Sequence, residues 1–255
     1  MEIVTWNVNS VRARLPRVLA WLEANTPDVL CLQELKCQDE DFPREEIEGL
    51  GYHIESHGQK TYNGVAILSR STPDDVVRGM PGDDLAGQAR VLAATVGGVR
   101  ILNLYVVNGK DVGDPYYDIK LSWMQCLTNY LKTDFDMDDS VVVTGDFNIT
   151  FDDRDIYDPD KWRGRIHCSE PERDALAALM APGLTDAFRH FEEEGGHYTW
   201  WDYRTRGFQG DRGMRLDHFL VSASALARCQ GVRIDKEERG SERPSDHVPV
   251  VLTLK

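Results

Sequence analysis

The chain has 255 residues, 41% of them hydrophobic, which suits one large α/β core. Its five cysteines (Cys31, Cys37, Cys126, Cys168 and Cys229) are odd in number and never spaced Cys-x-x-Cys, so disulfides and a thiolate zinc site are not expected. The 43 acidic and 29 basic residues give a formal charge of −14, which argues against a surface that attracts polyanions everywhere and leaves room only for a local basic face.

No stretch approaches membrane-spanning length, and Met1-Glu2-Ile3 enters a strand without the basic and apolar zones of a signal peptide. A cytoplasmic protein with no membrane partner is expected. Residues 2 to 6 alternate as a strand. Ser10 can cap a helix carrying Val11, Leu15, Val18, Leu19 and Leu22 at helical spacing, with Pro16 counting against it. A buried strand at 29 to 33, an acidic helix opening at Pro43, and strands near 52 to 56 and 64 to 69 follow, the last two flanking Asn63-Gly64. Strands near 89 to 96 and 99 to 106 meet at Gly97-Gly98, a hairpin turn. Tyr116 to Lys132 reads as a helix through Ile119, Trp123, Cys126, Leu127 and Leu131, and a strand at 141 to 145 comes next. An irregular charged stretch leads to a helix from Glu170 to Met180. Strands near 197 to 201, 215 to 221, 231 to 235 and 248 to 254 close the chain. No low-complexity linker interrupts this pattern, so one domain over residues 1–255 is expected. Hairpins mixed with β-α crossovers are too strand-rich for a simple doubly wound sheet. The expected class is α/β, with two packed mixed sheets and helices outside.

Acid, amide and imidazole groups recur at the ends of these strands, where a mixed sheet can gather them along one rim. Glu34 follows a run buried on both faces, where a carboxylate is costly unless paired or metal-bound; in isolation it reads equally well as a solvated strand end. Asn7 after Trp6 is comparable, since an amide can simply close a turn. In Gly145-Asp146-Phe147-Asn148, the glycine permits a sharp bend, and Asp146 and Asn148 are two apart so that both can face one cavity, although turn chemistry also favours Asp-x-Asn. Ser245-Asp246-His247 precedes the last strand, and its histidine needs a second acid to orient it. Asp217 is the best candidate, giving an acid–imidazole pair that can stabilise or protonate charged oxygens. Tyr198, Trp200, Trp201 and Tyr203, followed by Arg204 and Arg206, read as core aromatics or as a surface for bases and sugars with guanidinium groups on phosphates. Further arginines cluster at Arg163 and Arg165.

Taken together, Ile3-Val4-Thr5-Trp6-Asn7-Val8-Asn9, Cys31-Leu32-Gln33-Glu34-Leu35-Lys36, Tyr62-Asn63-Gly64-Val65-Ala66-Ile67, Gly145-Asp146-Phe147-Asn148, Tyr198-Thr199-Trp200-Trp201-Asp202-Tyr203-Arg204 and Pro244-Ser245-Asp246-His247-Val248-Pro249 resemble the exonuclease III family of DNA repair nucleases, within the endonuclease/exonuclease/phosphatase superfamily. The resemblance spans nearly the whole chain. It implies a four-layer α/β sandwich and a monomeric, bacterial-type, nucleoid-associated enzyme acting on double-stranded DNA with abasic sites or blocked 3′ ends. Carried over by position, it makes Glu34 the principal ligand of Mg²⁺, with Mn²⁺ as substitute. Asn7 lies nearby, and Asp246 is a further or water-mediated ligand. It makes Asp146 the group that orients or deprotonates water, helped by Asn148. His247, held by Asp217, contacts the scissile phosphate, and Tyr105 assists near the leaving oxygen. Trp200, Met214 and Leu216 match a wall for an abasic sugar, with Arg163, Arg165, His167 and Arg204 on the DNA side.

Two departures matter. Relatives commonly carry Tyr-x-Pro-Asn-Gly where this chain has Tyr105-Val106-Val107-Asn108-Gly109, so that loop is expected to be less stiff. The segment from Asp152 to Ser169 varies among relatives, and His167 within it is expected, if turned towards DNA, to obstruct an abasic nucleotide while leaving 3′-end trimming open. The rival readings are a superfamily phosphatase or phosphodiesterase for phosphoinositides or sphingomyelin, and a catalytically silent nucleic-acid-binding module.

Overall fold

Alternation along β1 (Glu2–Asn7) sends Ile3 to one side and Val4 and Trp6 to the other, and both sides are buried. A strand apolar on both faces needs a layer above and a layer below it. The computed structural model, which describes residues 1–83, 85 and 87–255, shows that arrangement twice. In chain order the elements are β1, α1 (Val11–Asn25), β2 (Val29–Gln33), α2 (Arg44–Glu48), β3 (His53–His57), β4 (Val65–Ser69), β5 (Asp74–Arg78), β6 (Val91–Val96), β7 (Val99–Tyr105), α3 (Pro115–Asp134), β8 (Val141–Asp146), α4 (Pro159–Trp162), α5 (Glu170–Met180), β9 (Thr185–Asp186), α6 (Ala187–Phe191), β10 (Asp217–Val221), α7 (Ala223–Leu226), β11 (Cys229–Ile234) and β12 (Val250–Leu254).

They form two six-stranded mixed sheets, ordered β11-β12-β1-β2-β4-β3 and β5-β6-β7-β8-β10-β9. Ile3, Cys31, Ile67 and Leu252 of the first meet Ala94, Ile101, Val142 and Phe219 of the second in the central layer. Outside the first sheet, Val4, Leu30 and Leu32 pack on Val18, Trp21 and Leu22 of α1. Outside the second, Leu102, Leu104 and Val143 pack on Trp123, Met124 and Leu127 of α3 and on Leu176 and Leu179 of α5. Each such fully buried aliphatic contributes roughly 1.5–3 kcal/mol, so the α–β–β–α layering fixes the strand ends firmly. A buried polar clasp ties the two sheets. Gln33 Nε2 donates to Asn103 Oδ1 at 2.7 Å and Thr5 Oγ1 at 2.9 Å, while Asn103 Nδ2 donates to the carbonyls of Leu32 (3.0 Å) and Ala66 (2.8 Å).

Gly97 and Gly98, at φ 56 and 77, make the expected hairpin between β6 and β7. Pro16 sits inside α1 without ending it, because Ser10 caps the helix and its inner face is buried. One strand escapes the sequence reading and one expected strand fails. β5 was not foreseen, since Asp74–Arg78 is an exposed edge strand with no apolar alternation. The expected strand at 197 to 201 reduces to single bridges of Trp200 with Met214 on one side and His247 on the other. Tyr198 and Trp201 are buried against Val248, Tyr157 and Phe208, Trp200 is half-buried, and none of them lies in a ladder. Among the described residues no helix is long and apolar enough to cross a membrane.

Candidate active site

Pairing geometry brings the site together. β1 and β2 run parallel with Asn7 opposite Gln33, so Glu34 leaves β2 beside Asn7. In the second sheet β7 and β8 run parallel with Tyr105 opposite Asp146, and antiparallel β10 sets Asp217 opposite Asp146. Trp200, bridged to His247, and Trp6, whose Nε1 donates to the His247 carbonyl at 3.3 Å, seat the histidine between the sheets. The chain turns sharply at these ends: Glu34 and Asn148 have φ of 54 and 52, the left-handed region that a glutamate adopts only under constraint. For Glu34 the constraint comes from its carbonyl, which accepts Ser10 N–H at 2.7 Å, and from Leu35 N–H on Gly64 O at 3.1 Å. Gly145 does not make the expected bend. It lies inside β8, and a Cβ there would stand 2.0 Å from Leu104 O, so glycine is required for the close approach of β7.

One hydrogen-bonded chain links the groups. Asn7 Nδ2 donates to Glu34 Oε1 at 2.8 Å and to Asp146 Oδ2 at 2.9 Å. Asp146 Oδ1 accepts Asn148 N–H at 2.9 Å. His247 Nε2 lies 3.6 Å from Asp146 Oδ2, and its Nδ1 donates to Asp217 Oδ2 at 2.8 Å. Burial raises the Asp146 carboxyl to about 7, with His247 opposing and Asp217 and Glu34 assisting the rise. Burial alone would lower the His247 imidazole, but Asp217 and Asp146 outweigh it and raise it to about 10. The result is a carboxyl poised near neutrality as a base, facing an imidazolium able to donate to an anion. Burial, then the carboxylates of Glu34 and Asp146, raise the Tyr105 phenol well above its usual range, with the Arg90 guanidinium 4.8 Å from the ring centroid opposing. Tyr105 therefore stays a neutral donor.

The oxygen-rich edge of the site lies at Glu34, whose side chain is 17% exposed. Lys36 Nζ bridges Glu34 Oε2 (2.8 Å) and Asn9 Oδ1 (2.5 Å), and Asn9 Nδ2 reaches Asp246 Oδ1 at 2.9 Å. An ammonium drawn between these groups marks a place where the carboxylates call for positive charge, and hard oxygen donors suit a hard divalent cation. Asn7 Oδ1 accepts Asn9 N–H at 3.0 Å, so Asn7 turns its nitrogen to the carboxylates and spaces them. Asp146, Asp217 and His247 also place ligand atoms within 4.8 Å of one another. There, however, the imidazole is an engaged donor, so Glu34 is the better anchor for a metal.

Asp246 also accepts Trp200 Nε1 at 3.1 Å, joining the aromatic wall to the site. Met214 and Leu216 are 0% and 1% exposed, packed under Trp200, Trp162 and Ile156, so Trp200 alone of the expected wall reaches the surface. Arg163 is exposed and paired with Asp160 at 3.0 Å, and Arg165 and Arg204 are exposed. His167 is buried, its ring centroid 6.5 Å from that of Trp200 and its Nδ1 on the Asn148 carbonyl at 2.6 Å. Burial, with Lys120 adding, lowers it to about 4, so the ring is neutral. His218, next to Asp217, faces the opposite side of β10, with Nε2 2.8 Å from Ile149 O. Sequence reasoning missed Asn9, Lys36 and Arg90. The first two had a signal, being two residues beyond Asn7 and Glu34. Arg90 had none. A cavity of about 480 Å³ lined by Tyr62, Arg90, Tyr105, Asn108, Lys110 and Tyr116 adjoins one side of the site, and one of about 330 Å³ lined by Lys161, Trp162, Trp200 and Arg212 the other. Both pair aromatics with cations.

The model of the endonuclease/exonuclease/phosphatase family matches residues 4–247. The chain is similar to exodeoxyribonuclease III of Haemophilus influenzae, 36% identical with both chains fully covered. Among solved structures it is similar to a 3′-5′ exonuclease from Neisseria meningitidis (TM-score 0.98, 47% identity, 100% of each chain) and to a 3′ phosphatase from Neisseria bound to product DNA hairpin (TM-score 0.96, 46% identity, 100% of this chain and 99% of the other).

Proposed function

This chain belongs to the endonuclease/exonuclease/phosphatase family and is a hydrolase of the exonuclease III type, and from that premise we propose that it is a Mg²⁺-dependent phosphodiesterase repairing double-stranded DNA, active in a single catalytic domain as 3′-to-5′ exonuclease, 3′-phosphatase and abasic-site endonuclease. The observation that carries the reading is Asp146, which touches Asn7 and Glu34's neighbourhood on one side and His247 on the other. Glu34, with Asp246 as a further or water-mediated ligand, would hold Mg²⁺ or Mn²⁺, which would supply Lewis-acid neutralisation of phosphate charge and of the departing 3′-oxygen. Asp146 takes the proton of the attacking water, its carboxylate aimed by Asn7 and Asn148. The imidazolium of His247, oriented by Asp217, donates to a phosphoryl oxygen as negative charge grows there. Tyr105 donates on the leaving side. Trp200 offers a ring to the sugar, while Arg163, Arg165 and Arg204 serve phosphates further out.

Within that activity, 3′-end processing is favoured over abasic-site incision. His167 fills the space beside Trp200, and two of the most similar structures are a 3′-5′ exonuclease and a 3′ phosphatase. The test is a parallel assay of abasic, 3′-phosphate and recessed 3′-hydroxyl duplexes and a phosphoinositide, each with Mg²⁺ and with EDTA. Hydrolysis of the phosphoinositide alone, or DNA bound equally well in EDTA and never cut, would replace this reading with one of the rivals. His167 has φ 70, so glycine is tolerated there. His167→Gly is expected to raise the ratio of abasic to 3′-phosphate rates about tenfold or more. Expressed as a ratio, a loss common to both substrates cancels; an unchanged ratio removes His167 from lesion choice.

A further inference from the structure

Lys120 of α3 and Glu172 of α5 form an ion pair at 2.5 Å in which neither side chain has any exposure, and none of the chemistry above uses it. Glu172 is saturated: it also accepts the backbone N–H groups of His167 (3.1 Å) and Ser169 (3.2 Å) and the Ser169 hydroxyl (2.7 Å). The ammonium gives its remaining donors to two carbonyls, Asn148 O at 2.7 Å and Asn108 O at 3.2 Å. Those carbonyls belong to the two loops that leave β8 after Asp146 and β7 after Tyr105. The Asn108 and Asn148 side chains close the same gap, Nδ2 to Oδ1, at 3.0 Å. If packing were the only requirement, an apolar pair of similar volume would serve as well as a buried ion pair. An apolar pair would leave the Asn108 carbonyl without this donor and the Asn148 carbonyl with only the neutral His167 Nδ1–H at 2.6 Å, and bonds from a charged donor are about twice as strong as neutral ones.

We propose that Lys120 is a positioning residue: its buried ammonium clamps the loops after Tyr105 and Asp146 to each other and holds Asn148 in the left-handed conformation that aims Asp146. In that conformation, Asn148 N–H meets Asp146 Oδ1 at 2.9 Å while Asn148 Nδ2 meets Asp146 Oδ2 at 3.3 Å. Val107 stands where the resemblance leads one to expect a proline, and the clamp would supply by electrostatics the stiffness that a proline ring would give there. Glu172 anchors the clamp, and through His167 N–H the anchor reaches the variable segment as well. The inference rests on Asp146 acting as the base.

Lys120→Met alone strands a buried carboxylate and risks unfolding, so the decisive variant is Lys120→Met with Glu172→Gln, which removes both charges. Two readouts are taken. In metal-free protein without DNA, backbone NMR signals of Asn108 and Asn148 are expected to shift or double, with those of β1 unmoved. On a 3′-phosphate duplex with Mg²⁺, kcat is expected to fall about 10- to 100-fold, as for a misplacement near 1 Å, with KM within about threefold. Adding Val107→Pro to the double variant is expected to recover at least about a third of the lost logarithm of kcat, by restoring stiffness from the other side. Unmoved Asn148 signals, a kcat equal to the parent's, or absence of rescue would overturn the clamp. Should the parent itself leave DNA uncut, the nuclease reading fails and the NMR readout alone decides Lys120.

Discussion

Arg215 and Asp217 stand two residues apart, yet they serve two buried clusters of charge built on opposite terms. The Arg215 guanidinium binds Asp155 at 2.8 and 2.9 Å and Asp186 at 2.7 and 3.2 Å, and Arg189 adds a second guanidinium on Asp155 at 2.5 Å. Two cations meet two carboxylates. Burial pushes the Asp155 carboxyl up, but Arg215 and Arg189 outweigh it and hold the group down at about 2. Around Asp217, two carboxylates share one imidazole, Asp217 Oδ1 has no hydrogen-bond partner among the described residues, and Asp146 rises to about 7. The first cluster is balanced and locks α6 and the segment before β10 in place. The second is left unbalanced, which is the condition for a carboxyl to exchange protons near neutral pH.

That contrast predicts opposite mutational responses. Asp146→Asn is expected to lower single-turnover cleavage at least about 10³-fold while DNA binding and thermal midpoint hold, because it removes a carboxyl that burial already disfavours. A large loss of stability instead would make Asp146 structural like Asp155. Asp217→Asn is expected to cost about 10²-fold in rate and to lower the titration of His247, read by imidazole NMR. The sign follows from the raised value: His247 contributes stability in full below its ordinary 6.5, and the contribution is lost as pH rises through about 10. In the variant that alkaline loss moves to lower pH; an unmoved titration would separate Asp217 from the histidine. Arg215→Met strips Asp186 of its guanidinium and leaves Asp155 with Arg189 alone, and is expected to cost about 3–5 kcal/mol, or about 10 °C in thermal midpoint, with kcat per folded molecule near the parent's. Asp155 contributes stability above its ordinary 3.8 that is lost as pH falls towards about 2, and this variant should flatten that acid dependence. Unaltered acid unfolding would contradict the balanced cluster.

The strand ends were legible because apolar runs that end at Asn7, Glu34 and Asp146, or begin at Asp217, carry a local pattern, and sheet pairing then brings them to one rim without further instruction. Which side of a strand end faces the site was less visible. Asp217 and His218 look alike in sequence, but alternation sends one to His247 and the other to the Ile149 carbonyl. The 197 to 201 run misled because aromatic alternation reports burial, and Trp200 gains its burial from two separate segments and not from a sheet. Lys120 with Glu172, 52 positions apart, and Arg215 with Asp155, 60 apart, have no short-range signature at all. Ion pairs between elements so far apart in the chain are set by tertiary packing, and only coordinates display them.

The central claim is a division of labour in one pocket, with Glu34 anchoring the metal and Asp146 acting on water. Its most direct measurement is the Mg²⁺ dependence of cleavage of a 3′-phosphate duplex by Glu34→Gln. The half-saturating Mg²⁺ concentration is expected to rise at least about tenfold over the parent, whereas Asp146→Asn lowers the plateau without shifting it. An unshifted half-saturation in Glu34→Gln, or cleavage that persists in EDTA, would contradict the assignment.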